Sequence, residues 1–105
     1  MSGTPVDFDY LETYAAGDRE VVSEVLGLFR AQAQAWRGRL AEPGADWRDL
    51  VHTIKGSARG IGATALAEVC ERAEQGDTTL APQVQAALAQ ADAAIEGYLT
   101  RIGGG

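Results

Sequence analysis

Two residue types that build many functional sites are almost absent from this sequence. It has one cysteine, Cys70, and one histidine, His52, among 105 residues. No disulfide can therefore form within the chain, and a zinc site made of cysteines is excluded. A metal site at the histidine is disfavoured because no second His or Cys lies at a suitable spacing. We therefore expect neither a metal nor a cofactor of the protein's own.

Positive charge and long apolar runs are also scarce. Lysine and arginine number 9 against 15 acidic residues, which gives a net charge of −6. This balance disfavours nucleic acids and anionic membranes as partners. No apolar run approaches the roughly 20 residues of a membrane-spanning helix, and residues 1–10 lack the pattern of a signal peptide. We expect a cytoplasmic protein.

The hydrophobic residues of the chain show helical spacing. Hydrophobic residues make up 46% of the chain, and they recur at steps of three and four, with no strand-like alternation. The breaks at glycine and proline predict five helices, at about 7–16, from 18 to the Pro43-Gly44 stop, from 46 to about 61, at 63–75, and from Pro82 to about 102.

Three end signals support these boundaries. Asp18 is a predicted N-cap, Asp46 with Asp49 forms a variant of the capping box, and Gly76 is a predicted C-terminal stop. The predicted core stripe of the second helix includes Val25. The pattern predicts an all-α fold: an antiparallel up-down-up-down four-helix bundle with a short additional N-terminal helix. We expect a single domain over residues 1–105, monomeric, with a flexible glycine tail at 103–105.

His52 does not belong to the core stripe of its helix. At roughly 100° per residue it lies about 150° from the stripe's centre near Ile54. Arg48, Lys55 and Arg59 stand at i−4, i+3 and i+7 from it and share the same outward face. The only histidine therefore lies in a basic stripe on an acidic protein. An ordinary exposed histidine among solvated charges is the competing interpretation.

The neighbours of His52 favour phosphoryl chemistry. A neutral imidazole has a free lone pair and is a competent nucleophile. Lys55 supplies a mobile ammonium that suits phosphate oxygens. Gly56 leaves the space beside the ring open, although a glycine inside a helix costs roughly 0.5–1 kcal/mol.

The run His52-Thr53-Ile54-Lys55-Gly56-Ser57, followed by Gly62, Leu66, Cys70 and Glu71, resembles the histidine phosphotransfer (HPt) family of two-component phosphorelays. The resemblance implies the helical bundle and makes His52 the phosphoacceptor. It assigns phosphoryl stabilisation to Lys55 and steric access to Gly56. It further implies a polar residue, often Gln, that hydrogen-bonds the imidazole; here the matching position is Glu74. Arg59 is a further candidate for contact with the phosphoryl group or the partner.

The resemblance also implies the partners. No ATP-binding signature is present, so the protein would be a carrier and not an enzyme. A response-regulator receiver domain would bring its phospho-aspartate and Mg²⁺, and a histidine kinase or hybrid kinase would feed the relay. By helical position Val21 and Leu28 are predicted to dock the receiver, with Leu11 or Tyr14 as additional candidates.

Two alternatives stay open at this point. The chain could be an adaptor that docks a receiver domain without phosphorylation, or the phosphotransfer module of a larger histidine kinase. The start methionine favours a stand-alone protein over such a fragment. Residues 60–65 read G-x-G-x-x-A, but the absence of a strand pattern favours a glycine turn over a dinucleotide site. Cys70, on an apolar stripe, is predicted to be a core residue.

Overall fold

A computed structural model describes residues 5–103, and within this range the chain is helical with no strand. Five α-helices and one 3₁₀ turn follow in order. They are α1 (Phe8–Tyr14), α2 (Arg19–Ala41), α3 (Trp47–Gly60), α4 (Thr64–Ala73), a 3₁₀ turn (Thr78–Leu80) and α5 (Ala81–Gly103).

The four longer helices form the predicted antiparallel bundle. Helix α3 packs along α4, α2 packs along α5, and α4 also contacts α5, while α1 lies against α2. Short connections join antiparallel neighbours, as the glycine and proline breaks predict. All four long helices contribute to one core, whose largest fully buried side chains include Leu26, Leu40, Ile54, Leu66, Leu88 and Ile95. The fold class predicted from the sequence is confirmed.

Two of the predicted helix-end signals are confirmed, and one is wrong. The Asp18 carboxylate accepts hydrogen bonds from the backbone N–H groups of Glu20 and Val21, as an N-cap does. Gly76 adopts a φ of +94° in the turn after α4. The predicted capping box at Asp46 is wrong, because its side chain makes no cap hydrogen bond and instead pairs with Arg39.

Three boundaries differ from the prediction. Helix α1 ends at Tyr14, because Ala16 and Gly17 adopt left-handed φ values of +54° and +80°. Helix α4 spans 64–73, so Glu74 is its C-cap rather than an interior residue. Helix α5 continues to Gly103, which corrects the predicted tail at that residue. Residues 104 and 105 lie outside the described range.

Helix α1 is held at the end of the bundle by side chains of α5. The rings of Phe8 and Tyr98 stack with centroids 4.2 Å apart, and the Tyr98 hydroxyl donates to the Glu12 carboxylate at 2.5 Å. The backbone N–H of Asp7 donates to the carbonyl oxygen of Gly62 at 3.1 Å. The N-terminal segment is therefore an integrated part of the described fold.

Candidate functional site

His52 projects from the middle of a well-anchored helix. Its side chain is 69% exposed, whereas Val51, Ile54 and Ala58 on the opposite side of α3 are fully buried. The burial of that stripe fixes the rotation of the helix about its axis. The periodicity therefore predicts the outward position of the histidine correctly.

Glu74, at the end of α4, accepts a hydrogen bond from the ring. The Nδ1 atom of His52 lies 2.7 Å from Oε2 of Glu74. An ionised carboxylate can only accept, so a neutral imidazole must carry its proton on Nδ1 to make this bond. The lone pair is then on Nε2, the nitrogen farther from α4. The contact thus selects the tautomer whose free nitrogen is available for attack.

Lys55 contacts the other oxygen of this carboxylate. Its Nζ pairs with Oε1 of Glu74, and its side chain is only 14% exposed. The expectation of a mobile ammonium is therefore wrong, because the lysine is largely covered and held in an ion pair. The contact with Lys55 has the larger effect and the hydrogen bond with His52 the next largest, and together they hold the pKa of the Glu74 carboxyl below its usual range. Glu74 is accordingly ionised at neutral pH.

The other predicted site residues occupy different surroundings. A Cβ atom added to Gly56 would meet no other atom within 4 Å, so the space beside His52 is open. Arg59 is paired with Glu71, at 2.9 Å, on a more exposed part of the surface. It stands about 10 Å further along the axis of α3 than the histidine. The structure therefore brings His52, Lys55 and Glu74 together and places Arg59 apart.

Trp47 positions Glu74, a role that the sequence reasoning missed. The indole Nε1 donates a hydrogen bond to the carbonyl oxygen of Ala73 at 3.0 Å. Trp47 is the first residue of α3 and Ala73 is the last of α4, so the bond ties the two helices beside the site. The local sequence does not predict this bond, although a buried tryptophan commonly finds an acceptor for its N–H.

Cys70 lies beneath this cluster and is fully buried, as predicted. Burial, and secondarily the nearby Glu74 charge, raise the pKa of the thiol to about 12. A thiol in that state has almost no thiolate at neutral pH and is a poor nucleophile. The cysteine is therefore a packing residue.

Exposed apolar side chains are concentrated on one part of the described surface. Among the described residues, the large exposed ones all lie on α1 and one side of α2: Tyr10, Tyr14, Val21, Val25 and Leu28. Leu28 is 67% exposed. Two predictions are corrected here. Leu11 is 4% exposed and faces the core, and Val25 is 40% exposed and is not part of it.

A groove links this apolar surface to α3. It has a volume of about 240 Å³ and is lined from α2 by Val25, Leu28, Phe29 and Gln32 and from the α3 end by Ser57, Gly60 and Ile61. His52 is not among the lining residues, and the groove meets α3 at Ser57, little more than one helical turn further along the helix.

Two features are absent from residues 5–103. No group of three or more His, Cys, Asp or Glu side chains in this range could hold a metal ion. No helix there is long and apolar enough to cross a membrane.

A helical bundle that presents one exposed, hydrogen-bonded histidine beside a lysine and a glycine is the arrangement that the resemblance to histidine phosphotransfer domains implies. The family model described as the Hpt domain matches residues 20–102. The chain therefore belongs to the Hpt family, whose members are phosphocarriers of two-component phosphorelays.

A solved structure agrees with this assignment. The chain is similar to the histidine phosphotransferase ShpA from Caulobacter crescentus, with a TM-score of 0.83 and 50% sequence identity. The similarity covers 92% of each chain. None of the curated proteins matches.

Proposed function

We propose that Nε2 of His52 accepts a phosphoryl group from the phospho-aspartate of a receiver domain and returns it to the aspartate of the same or another receiver. The observation that carries this proposal is the Nδ1 contact with Glu74, 2.7 Å long, on a ring that is 69% exposed. The contact leaves Nε2 with its lone pair and with access to solvent.

The step balances without a base on this protein. The Nε2 lone pair attacks phosphorus, the N–P bond forms as the P–O bond to the aspartate breaks, and the aspartate leaves as a carboxylate. The proton on Nδ1 stays in place, so the product is a phosphorylated imidazolium. We assign the neutralisation of the phosphoryl oxygens to Lys55, which stands one turn along α3 from His52 and would have to leave its ion pair with Glu74 to reach them.

The partner completes the chemistry. We assign the Mg²⁺ that phosphoryl transfer uses to the receiver domain, and the supply of phosphoryl groups to a histidine kinase or hybrid kinase. On this proposal the chain is a carrier without an ATP site, acting as a cytoplasmic monomer. The buried stripes of α2 to α5 support the monomer, because they cover one another.

The apolar surface of α1 and α2 would dock the receiver. Val21, Val25 and Leu28 lie on the side of α2 that borders the groove to α3. Exposed apolar patches on soluble domains commonly mark binding sites. Leu28→Asp should raise the Kd for a receiver about tenfold, the equivalent of about 1.4 kcal/mol. Ala93→Asp, on the exposed side of α5, is the matched control and should leave the Kd unchanged.

The deciding experiment is direct phosphotransfer. The protein and its His52→Gln variant are each mixed with a receiver carrying labelled phospho-aspartate and Mg²⁺. Acid-labile, base-stable label on the wild type alone is expected, since this stability is that of phosphohistidine. If neither protein takes up label from a broad panel of receivers while both are folded by circular dichroism, the carrier function is wrong and the adaptor interpretation is favoured.

A further inference from the structure

The group that faces the phosphoacceptor ring is a charged carboxylate. Glu74 contacts Nδ1 of His52 through one oxygen and Lys55 through the other, and its side chain is only 21% exposed. A neutral amide in the same place could accept the same hydrogen bond. The hydrogen bond alone therefore does not explain why a charged carboxylate, and not an amide, occupies this position.

The charge matters most after the ring has been phosphorylated. When the phosphoryl group leaves, the electron pair of the N–P bond returns to Nε2. A ring that is protonated on Nδ1 leaves as neutral imidazole, whereas a ring without that proton would leave as an imidazolate anion, a much poorer leaving group. The lifetime of the phosphoryl group is therefore set by the proton on Nδ1.

The charges that α3 places around His52 are mixed, with the exposed carboxylate of Asp49 one turn before it and cations on either side. Arg48 and Lys55 stand one turn to either side of His52 on the same face, and both are cations. Arg59, further along the helix, is paired with Glu71 of α4. From the end of α4 the ring meets the Glu74 carboxylate, in direct contact. An opposite charge at 2.7 Å acts more strongly on the ring than cations a helical turn away.

We propose that Glu74 is a positioning residue that keeps Nδ1 of phosphorylated His52 protonated and so makes the phosphoryl group labile enough for rapid onward transfer. This rests on the proposed function, because it concerns the phosphorylated form of the same histidine. It assigns to Glu74 a part in releasing the phosphoryl group, in addition to orienting the free ring.

Glu74→Gln isolates the charge, because the amide oxygen can still accept from Nδ1–H. The protein is loaded with phosphoramidate, a small phosphoryl donor, and the decay of phosphohistidine to inorganic phosphate is followed by ³¹P NMR across a pH series. Water is the acceptor, so no receiver needs to be known. Glu68→Gln, an exposed carboxylate on the same helix, removes one negative charge away from the ring and is the matched control.

An opposite charge in direct contact raises the pKa of a protonated ring by about one unit or more. At a pH above the midpoints of both proteins, a difference of about one unit changes the protonated fraction of the ring, and with it the rate of dephosphorylation, about tenfold. We therefore expect the phosphohistidine of Glu74→Gln to live about ten times longer than that of the wild type near pH 8. The midpoint of its ³¹P titration should lie about one unit lower. The Glu68→Gln control should match the wild type in both.

The two proposals fail in different ways. If His52 takes up no phosphoryl group from either phosphoramidate or receivers, the carrier function fails and this inference with it. If wild type and Glu74→Gln are both phosphorylated but share one lifetime and one midpoint, only the inference is overturned. A general loss of structure would also separate the ring from Glu74 and move the midpoint, so the comparison requires that Glu74→Gln and the wild type give the same circular dichroism spectrum.

Discussion

The indole N–H of Trp47 and the carbonyl oxygen of Ala73, 26 positions apart in the chain, form a buried hydrogen bond of 3.0 Å. Ala73 directly precedes Glu74, and Trp47 precedes His52 on α3 by little more than one turn. The bond therefore fixes the end of α4 against the start of α3, next to the contact between Glu74 and the His52 ring. Trp47, 27 positions before Glu74 in sequence, in this way helps to set the position of the carboxylate.

Trp47→Phe should destabilise the fold by about 1–3 kcal/mol, because the Ala73 carbonyl is left buried without its partner. Urea unfolding measures the loss. Trp36→Phe is the matched control, since Trp36 is equally buried but packs edge-on against Phe29. Equal losses in the two variants would show that ring volume, and not the hydrogen bond, carries the effect.

Gly62→Ala should loosen the N-terminal segment. Gly62 has a φ of +76°, and an added Cβ atom would lie 2.9 Å from Cβ of Asp7. We expect the free energy of unfolding to fall by about 2 kcal/mol or more, because backbone strain of about 1–2 kcal/mol and the clash with Asp7 act together.

Gly17→Ala separates these two terms, because Gly17 has a φ of +80° but open space around it. It should cost only the backbone strain of about 1–2 kcal/mol. Thermal unfolding compares the two variants. If Gly17→Ala proves the more damaging, the contact of Gly62 with Asp7 does not hold α1 in place.

Gly56→Ala should stabilise the protein while impairing transfer. The position lies inside α3, and replacing glycine by alanine there contributes about 0.5–1 kcal/mol of helix stability. The added methyl group would occupy the open space beside His52 and hinder a receiver's approach. Unfolding curves together with transfer rates from a phosphorylated receiver test both halves.

The control for that variant is Gly38→Ala, inside α2 and also surrounded by open space. It should give the same gain in stability with an unchanged transfer rate. A Gly56→Ala variant that transfers as fast as the wild type would remove the steric role of this glycine.

Arg30 and Asp92 form an ion pair that spans α2 and α5, with Nε 2.9 Å from Oδ1. The Asp92 side chain is 12% exposed and that of Arg30 is 33% exposed. Arg30→Met leaves the carboxylate poorly solvated and unpaired, so we expect a loss of about 2 kcal/mol, below the range for fully buried pairs. Urea unfolding of the variant and the wild type measures this change in the free energy of unfolding.

Arg39→Met is the comparison on the same helix. Arg39 pairs with Asp46, and both side chains are about half exposed. Such surface pairs contribute about 0–1 kcal/mol. If the two substitutions cost the same, the burial of Asp92 adds nothing to the strength of its pair.

The features that the sequence predicted correctly are those that depend on one helix at a time. His52 faces outward because the stripe through Ile54 faces inward, and that relation follows from the helical period alone. Asp18 caps α2 through backbone groups two and three residues away. Proline and glycine stop helices through local backbone geometry. Each of these causes acts within a few residues, so the pattern of the sequence contains it.

Other features depend on how the helices meet, and only the tertiary structure decided them. Lys55 is a mobile cation by spacing, but the approach of α4 places Glu74 over it. Leu11 is covered because α1 packs against the bundle, and Val25 is 40% exposed in the groove between α2 and the end of α3. Asp46 satisfies its carboxylate with Arg39 instead of capping its own helix. The sequence by itself determined the helices and the outward position of His52; interhelical packing determined which charges and which apolar surface accompany it.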